Sequence, residues 1–303
     1  MRRYISRLSS LLLLAASQAH ACACGCGVFS VGTSALLPQG PGGMAFLEYD
    51  YMNQTENWSG TSSAPAAANP DQDIRTGFYT AGLQYMFDRD WGATVEIPYW
   101  DRLFVTTTGG GVSGFRESTL GDVRLLGMYT GFSADLSTGL LFGLKLPTGD
   151  YSHPGFDRDT AIGSGSTDTL LGGYHESALD AANTWTWFAQ AVWERAFASR
   201  DAYRPGNELD AAVGVYYAGW DFGPKTALAP VLQLKLSDRW RDRGANANTP
   251  NSGYTRALAA PGLELDSGKL KFYLDVEFPL YQDVNGDQLV APRLYKFIVS
   301  YGF

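Results

Sequence analysis

The side chains in this 303-residue chain that could do chemistry are three cysteines, three histidines and a set of acidic and basic residues at alternating positions. Cys22, Cys24 and Cys26 stand at i, i+2 and i+4, so an extended backbone projects all three thiols from one face. Three soft donors suit Cu(I) or Zn(II). An odd count of thiols in an oxidising compartment, with no His or fourth Cys beside them, suits a disulfide or a periplasmic tether better. Lipidation of Cys22 is a further reading, but Ala19-His20-Ala21 lacks the aliphatic residue of a lipidation signal. No metal or cofactor is expected; the three cysteines are the candidates should a metal bind.

Other motifs are weaker. Asp283-Val-Asn285-Gly-Asp287 opens like a calcium loop but lacks its downstream Gly and Glu, and an Asn-Gly turn explains it. Gly163-Ser-Gly-Ser-Thr follows a proline-containing loop rather than joining a strand to a helix, which argues against a phosphate cradle.

The elements that must position these residues are strands. From Tyr295 to Phe303, Tyr295, Phe297, Val299, Tyr301 and Phe303 alternate with Lys296, Ile298, Ser300 and Gly302. One strand face is then an aromatic and aliphatic stripe and the other is mostly small or polar. At the other end, Arg2, Arg3 and Arg7, the apolar run Leu8 to Ala16, and Ala19-His20-Ala21 read as a secretory signal over residues 1–21. That run is too short to span a bilayer, which takes about 20 apolar residues. An exported chain that enters lipid without such a helix must do so as a closed sheet. The formal net charge of −8, more acidic still once the three signal arginines are removed, argues against a nucleic-acid partner.

Period-2 alternation predicts twelve strands, at about 42–53, 73–87, 91–103, 119–131, 135–147, 167–178, 184–196, 208–220, 226–239, 253–266, 269–282 and 290–303. Short turns near 88–90, 132–134, 180–183, 221–225 and 267–268 alternate with long connections at 54–72, 104–118, 148–166, 197–207, 240–252 and 283–289. Even strand number, short periplasmic turns and longer outer loops are the pattern of a transmembrane antiparallel up-and-down β-barrel. Trp91, Trp185, Trp187, Trp220 and Tyr301 fall beside the short turns, and Tyr99 and Trp240 near the long loops, as two aromatic girdles. The chain thus divides into a signal peptide (1–21), a Cys-rich periplasmic segment (22–41) and the all-β barrel (42–303), with both termini periplasmic. Val95-Glu-Ile-Pro-Tyr99, Leu144-Lys-Leu-Pro-Thr148 and Val276-Glu-Phe-Pro-Leu280 each place an inward charge two residues before a proline. The proline reads first as a strand end at the outer rim, and the charges Glu96, Lys145 and Glu277 as a ring at one height.

Leu120-Gly-Asp-Val-Arg124, Gly143-Leu-Lys-Leu-Pro-Thr-Gly-Asp150 and Gly163-Ser-Gly-Ser-Thr-Asp168 resemble a family of bacterial outer-membrane barrels named for the meta-pathway of phenol degradation. The resemblance covers most of residues 42–303 and implies a transporter of small solutes, aromatic or hydrophobic ones among them. The Cys-rich start followed by Val28-Phe-Ser-Val-Gly-Thr33 resembles a subgroup without an assigned function. Outer-membrane phospholipases are also barrels of this size, with a His and a Ser two residues apart on one strand. His175 and Ser177 have that spacing, but they fall at the periplasmic end and Asn183 lies in a turn, so no enzyme is expected.

The inward parity collects Glu48, Asp50, Glu96, Asp122, Arg124, Lys145, Glu194, Asp210, Lys235, Arg256, Glu264, Lys271, Asp275, Glu277 and Lys296. Of these, Glu96, Lys145, Glu277, Lys235, Asp122, Arg124 and Asp275 are the candidate pathway residues. Mixed charges in a lumen need partners or water. The function expected is an outer-membrane channel or transporter for small solutes; the alternative is a non-conducting anchor or docking platform for a periplasmic partner. The expected partners are membrane lipid, the barrel-assembly machinery through the C-terminal strand, and a small-molecule solute.

Overall fold

Side chains that alternate along a strand leave a sheet with one apolar face, and in lipid that sheet must close on itself. The computed structural model describes residues 36–38, 40–218 and 220–303, and it closes. The wall consists of β1 (Gly42–Gln54), β4 (Asp71–Met86), β5 (Trp91–Thr108), β7 (Arg124–Tyr129), β8 (Thr138–Lys145), β9 (Thr167–Ala178), β10 (Trp185–Ala198), β11 (Glu208–Tyr217), β13 (Thr226–Arg239), β14 (Tyr254–Ser267), β15 (Leu270–Val290) and β16 (Leu294–Gly302). Each pairs antiparallel with the next wall strand, and β16 pairs with β1 from Met44↔Gly302 to Met52↔Leu294. The barrel of twelve antiparallel strands expected from the sequence is therefore present. No helix among the described residues is long and apolar enough to cross a membrane, which has no bearing on a barrel.

Four further strands lie outside the ring. β2 (Glu56–Gly60) pairs with the outer end of β15 and with β3 (Ser62–Ser63). β6 (Gly111–Leu120) forms a hairpin with the outer half of β5, and β12 (Trp220–Gly223) folds back on the start of β13. Three expectations change here. The span 119–131 is not one strand: its first residues belong to the β5–β6 hairpin and only β7 enters the wall. The connections 54–72, 104–118 and 283–289 are largely paired strand rather than open loop, because their outer backbone groups find partners in each other. Pro98 does not end a strand, since β5 runs on to Thr108. Its carbonyl accepts from Gly121 N at 2.8 Å, so its missing N–H faces 121–123, where the neighbouring ladder is interrupted between β6 and β7. Pro279 sits beside a register shift on β15 in the same manner. Proline is tolerated at such breaks because no ladder donor is lost.

The outer surface is a belt of Leu, Val, Phe and Tyr that includes Leu47, Leu83, Leu140, Leu171, Leu232, Leu274 and Phe297. Aromatic pairs edge it near the short turns, with Trp91–Tyr129 centroids 4.7 Å apart and Trp185–Tyr217 4.9 Å apart. The interior holds the polar groups, but not in a uniform lining. A charged middle layer lies between two apolar ones. The layer nearer the short turns contains Phe46, Phe188, Val231, Tyr273 and Ile298 on one side and Met86, Met128, Leu141 and Tyr174 on the other. Ile298, which the C-terminal alternation places on the polar face, is buried in this layer. Gly82 makes room for the Phe46 ring of this layer, which a Cβ there would meet at 1.9 Å. Toward the loops, Met52, Phe78, Leu258 and Leu294, and separately Ile74, Phe104 and Leu289, form apolar clusters.

The closing seam ends on the terminal residue. Phe303 N donates to Gly43 O at 2.8 Å and Gly43 N to Phe303 O at 3.1 Å, while the Phe303 ring stays exposed with the stripe above it. Deleting Phe303 removes both bonds and the last ring of the stripe. The folded fraction, read as heat-modifiable migration on gels, should fall several-fold below that of a loop variant such as Ser113→Ala; a normal folded yield would refute this.

Candidate functional site

The inward charges assemble into separate clusters. On one side of the barrel, Glu96, Arg124, Lys145 and Asp168 are register neighbours on β5, β7, β8 and β9. Lys145 Nζ reaches Asp168 Oδ2 at 2.6 Å and also pairs with Glu194, whose second oxygen accepts from Arg124 Nη2 at 3.2 Å. On the closing seam, Lys296 Nζ sits 2.8 Å from Glu48 and 3.1 Å from Asp50. Opposite, Lys235 Nζ donates to Asp275 at 2.9 Å and Glu277 at 2.6 Å, and Tyr273 donates to Asp275 at 2.7 Å. Nearer the short turns, Lys271 pairs with Glu264 at 3.3 Å. Ser237 donates to Asp210 at 2.5 Å, and Tyr254 donates to Glu208 at 2.7 Å beneath the Arg256 guanidinium. Burying any one of these charges alone costs several kcal/mol, so each cluster is held by its opposite sign.

Two environments result. Glu48, Asp50, Glu96, Asp122, Arg124, Lys145, Glu194 and Lys296 face a cavity of about 250 Å³ inside the barrel. Lys235, Asp275 and Glu277 do not line that cavity; their side chains are 0% exposed. Glu96, Lys145 and Glu277 are therefore not one ring around a common opening. Glu96 and Lys145 belong to the cavity wall, and Glu277 is locked to Lys235 across the barrel.

The cavity is amphipathic. Phe46, Phe78, Trp100, Leu126, Met128 and Leu141 line it beside the charges. Its floor includes Leu36 and Leu37, which precede β1 and pack inside the barrel; Gln84 Nε2 donates to Leu36 O at 3.2 Å. These two residues belong to the 22–41 segment. Cys22, Cys24 and Cys26 lie outside the described residues.

The roof is the 148–166 connection, and Asp122 holds it. Its carboxylate accepts from Gly149 N at 3.0 Å, from Ser164 N at 2.8 Å and from Ser164 Oγ at 2.5 Å. The backbones of Gly149 and Gly163 touch, and a Cβ on Gly163 would meet Gly149 O at 2.3 Å. The three segments that carry the family resemblance therefore converge on one staple. Arg102, 1% exposed, adds a second: Nε donates to Thr76 Oγ1 at 2.9 Å and Nη1 to Thr160 O at 2.5 Å, with Trp100 under the guanidinium. Arg158 reaches from the roof to Ser164 O and stacks over Tyr203 at 4.1 Å. Tyr203 in turn donates to Asp242, which also accepts from Gly206 N and Arg239 and so ties the 199–207 and 240–252 loops together. Arg102, Asp168, Arg158 and Asp242 are absent from the candidate pathway set. Arg102 and Asp168 share the inward parity and were accessible to it. Arg158 and Asp242 lie in loops, where alternation carries no signal.

At the outer end of β4, Asp71 is pushed up to about 7, chiefly by burial, with the Thr106 hydroxyl opposing and the roof carboxylates Asp157 and Asp159 adding to the rise. His175 shares a hydrogen bond with Thr138 Oγ1 at 2.8 Å and packs on Trp187, and Ser177 lies across the ladder from Trp187. The hydroxyl bonded to His175 is therefore that of Thr138. Asn285 and Gly286 form a turn with Gly286 at φ +66, and Arg241 donates to Asn285 at 3.0 Å.

No protein-family model matches the chain, and no curated protein matches it. Solved structures share the fold. The crystal structure of an outer membrane channel from Pseudomonas putida F1 is similar at a TM-score of 0.64 and 14% identity, over 90% of this chain and 100% of that one. The β domain of the Bordetella autotransporter Brka is similar at a TM-score of 0.53 and 15% identity, over 86% of this chain and 100% of that one. The likeness establishes an outer-membrane type of barrel and does not extend to the family that the sequence motifs resemble.

Two predictions arise from the charges. Lys235→Met leaves Asp275 and Glu277 buried without their cation and should lower unfolding free energy by about 3–5 kcal/mol, whereas Lys235→Met with Asp275→Asn and Glu277→Gln should recover much of the loss. Denaturant midpoints of the refolded barrel decide between them. For Asp71, a folded pKa above the ordinary carboxyl value means that the native state holds the proton more tightly. Its contribution is intact at low pH and is lost as pH rises from about 4 through 7, when ionised Asp71 repels Asp157 and Asp159. Protease cleavage within 148–166 should rise over that window, and Asp71→Asn should flatten the response.

Proposed function

We propose that the barrel is an outer-membrane channel or transporter that takes small amphipathic solutes, aromatic or hydrophobic ones among them, through its lumen. The observation that carries this reading is the cavity: apolar and aromatic side chains on part of its wall, paired charges on the rest, and connecting chain above and below. A concave space of about 250 Å³ with an apolar wall and a few convergent polar groups is the form a small-solute site takes. Lys145, Arg124 and Glu96 then sit where a polar end of the solute would pass, and Phe78 and Trp100 where an apolar body would rest. The short turns and both termini face the periplasm in this reading, with residues 1–21 removed and 22–41 as the periplasmic segment. The three motif segments at the roof support membership of the barrel family named for phenol degradation.

The second reading is a closed anchor or docking platform. It is favoured by the fully buried Lys235–Asp275–Glu277 cluster and by the apolar layers above and below the charges.

Planar-bilayer recording separates the two. Charge-assisted hydrogen bonds contribute about 1.5–3 kcal/mol each, so Asp122→Ala should release the roof without touching the wall ladder. Passage predicts low or intermittent unitary currents in the parent protein and larger, steadier ones in Asp122→Ala, with the heat-modifiable barrel unchanged. Silence in both proteins would send the assignment to the platform.

A further inference from the structure

Outside the lumen, one cluster of side chains has the composition of a metal site. Glu117 projects from β6, on the hairpin that rises beside the roof, and Asp150 and His153 come from the roof connection itself. One ligand atom from each lies within 4.8 Å of the others. The three come from two chain segments 30 or more residues apart, so the fold and not local sequence brings them together.

The Glu117 carboxylate is the informative member. Its side chain is only 5% exposed, and Oε2 is buried with no hydrogen-bond partner. A buried carboxylate oxygen without a donor costs free energy, and a cation removes that cost. The other oxygen, Oε1, is 3.6 Å from His153 Nδ1. That is too long for a hydrogen bond. It is close to the ~3.4 Å that separates two donors around a tetrahedral ion with bonds of about 2.1 Å. His153 is held edge-on against Phe156, with centroids 5.2 Å apart, which restricts its ring. The Asp150 side chain accepts from Ser152 N through Oδ1 at 2.9 Å, which leaves Oδ2 to turn toward the pair. Asp150 is exposed, and rotation of its side chain supplies the remaining closure.

We propose that Glu117, Asp150 and His153 bind one divalent transition-metal cation of the zinc class. Two carboxylates supply its charge balance, and the imidazole nitrogen selects against calcium and magnesium, which take oxygen donors. Water completes the coordination. Bound there, the ion ties the roof to the β5–β6 hairpin at a point distinct from the Asp122 and Arg102 staples. Its binding does not depend on whether the lumen conducts.

Cobalt(II) titration of the full, refolded chain tests the site, because the absorption of the ion reports its donors. Binding of one equivalent with visible bands of a nitrogen and oxygen set, and protection of the 148–166 connection from protease by the ion, are the results expected. Loss of a direct ligand should exceed the ~10–100-fold weakening typical of lost outer-shell partners, so His153→Ala and Glu117→Gln should each weaken binding at least about tenfold. Asp150→Asn, at an exposed position, provides a variant whose folding is not at risk, and heat-modifiable migration verifies the other two. A thiolate charge-transfer band with binding unchanged in the three variants would assign the ion to Cys22, Cys24 and Cys26 and overturn the proposal. Absence of saturable binding in the parent protein would overturn it as well.

Discussion

Backbone N–H and C=O groups in hydrocarbon have no water to bond, and the seam between β1 and β16 is where this constraint is met. Without the ladder from Met44↔Gly302 to Met52↔Leu294, the sheet would carry two long edges into lipid. Closure then imposes the rest of the inside-out arrangement. The same residues that form the ladder put Leu47 and Phe297 outward and Asp50 and Lys296 inward, so the seam carries an ion pair on its inner face and a lipid-facing stripe on its outer face.

Closure also creates an interior too narrow to stay wet throughout. The charges are consequently grouped by opposite sign rather than spread around an open ring. Lys235 with Asp275 and Glu277 fills one side, and Arg124, Lys145, Asp168 and Glu194 form the wall of the space that remains. Apolar layers near the turns and near the loops bracket these clusters. The cavity exists because the two halves of the lumen are filled unequally: Tyr273, Phe188 and Val231 occupy the β10–β15 side, whereas Gly139, Gly143 and Gly172 thin the β8–β9 side.

The roof closes the loop end of the cavity. Asp122 holds both ends of the 148–166 connection with three hydrogen bonds, Arg102 grips its middle at Thr160, and Asp71 faces its carboxylates. Each grip is a polar side-chain contact, made by the buried residues Asp122, Arg102 and Asp71. The wall is held instead by the interstrand ladder, so roof and wall differ in local stability. That difference in local stability is what a gated lumen requires.

Strand number, parity and the identity of most inward charges were legible in the sequence, because a half-buried strand writes its two faces at alternate positions. The C-terminal stripe, eleven of the twelve spans and Lys145 or Glu96 as inward residues needed nothing more. Parity says which side a residue faces but not how high it stands or what lies across the lumen. Only the tertiary structure paired Lys235 with Glu277, separated Glu277 from Glu96, and set Ile298 against Phe46 in an apolar layer that alternation had counted as polar. The loops carry no periodic signal, so Asp242, Arg158 and the meeting of Glu117 with His153 were beyond the sequence. The motif around Asp122 lies between: its residues were visible as a resemblance, and the fold supplied the reason, a carboxylate that three separate segments converge to satisfy.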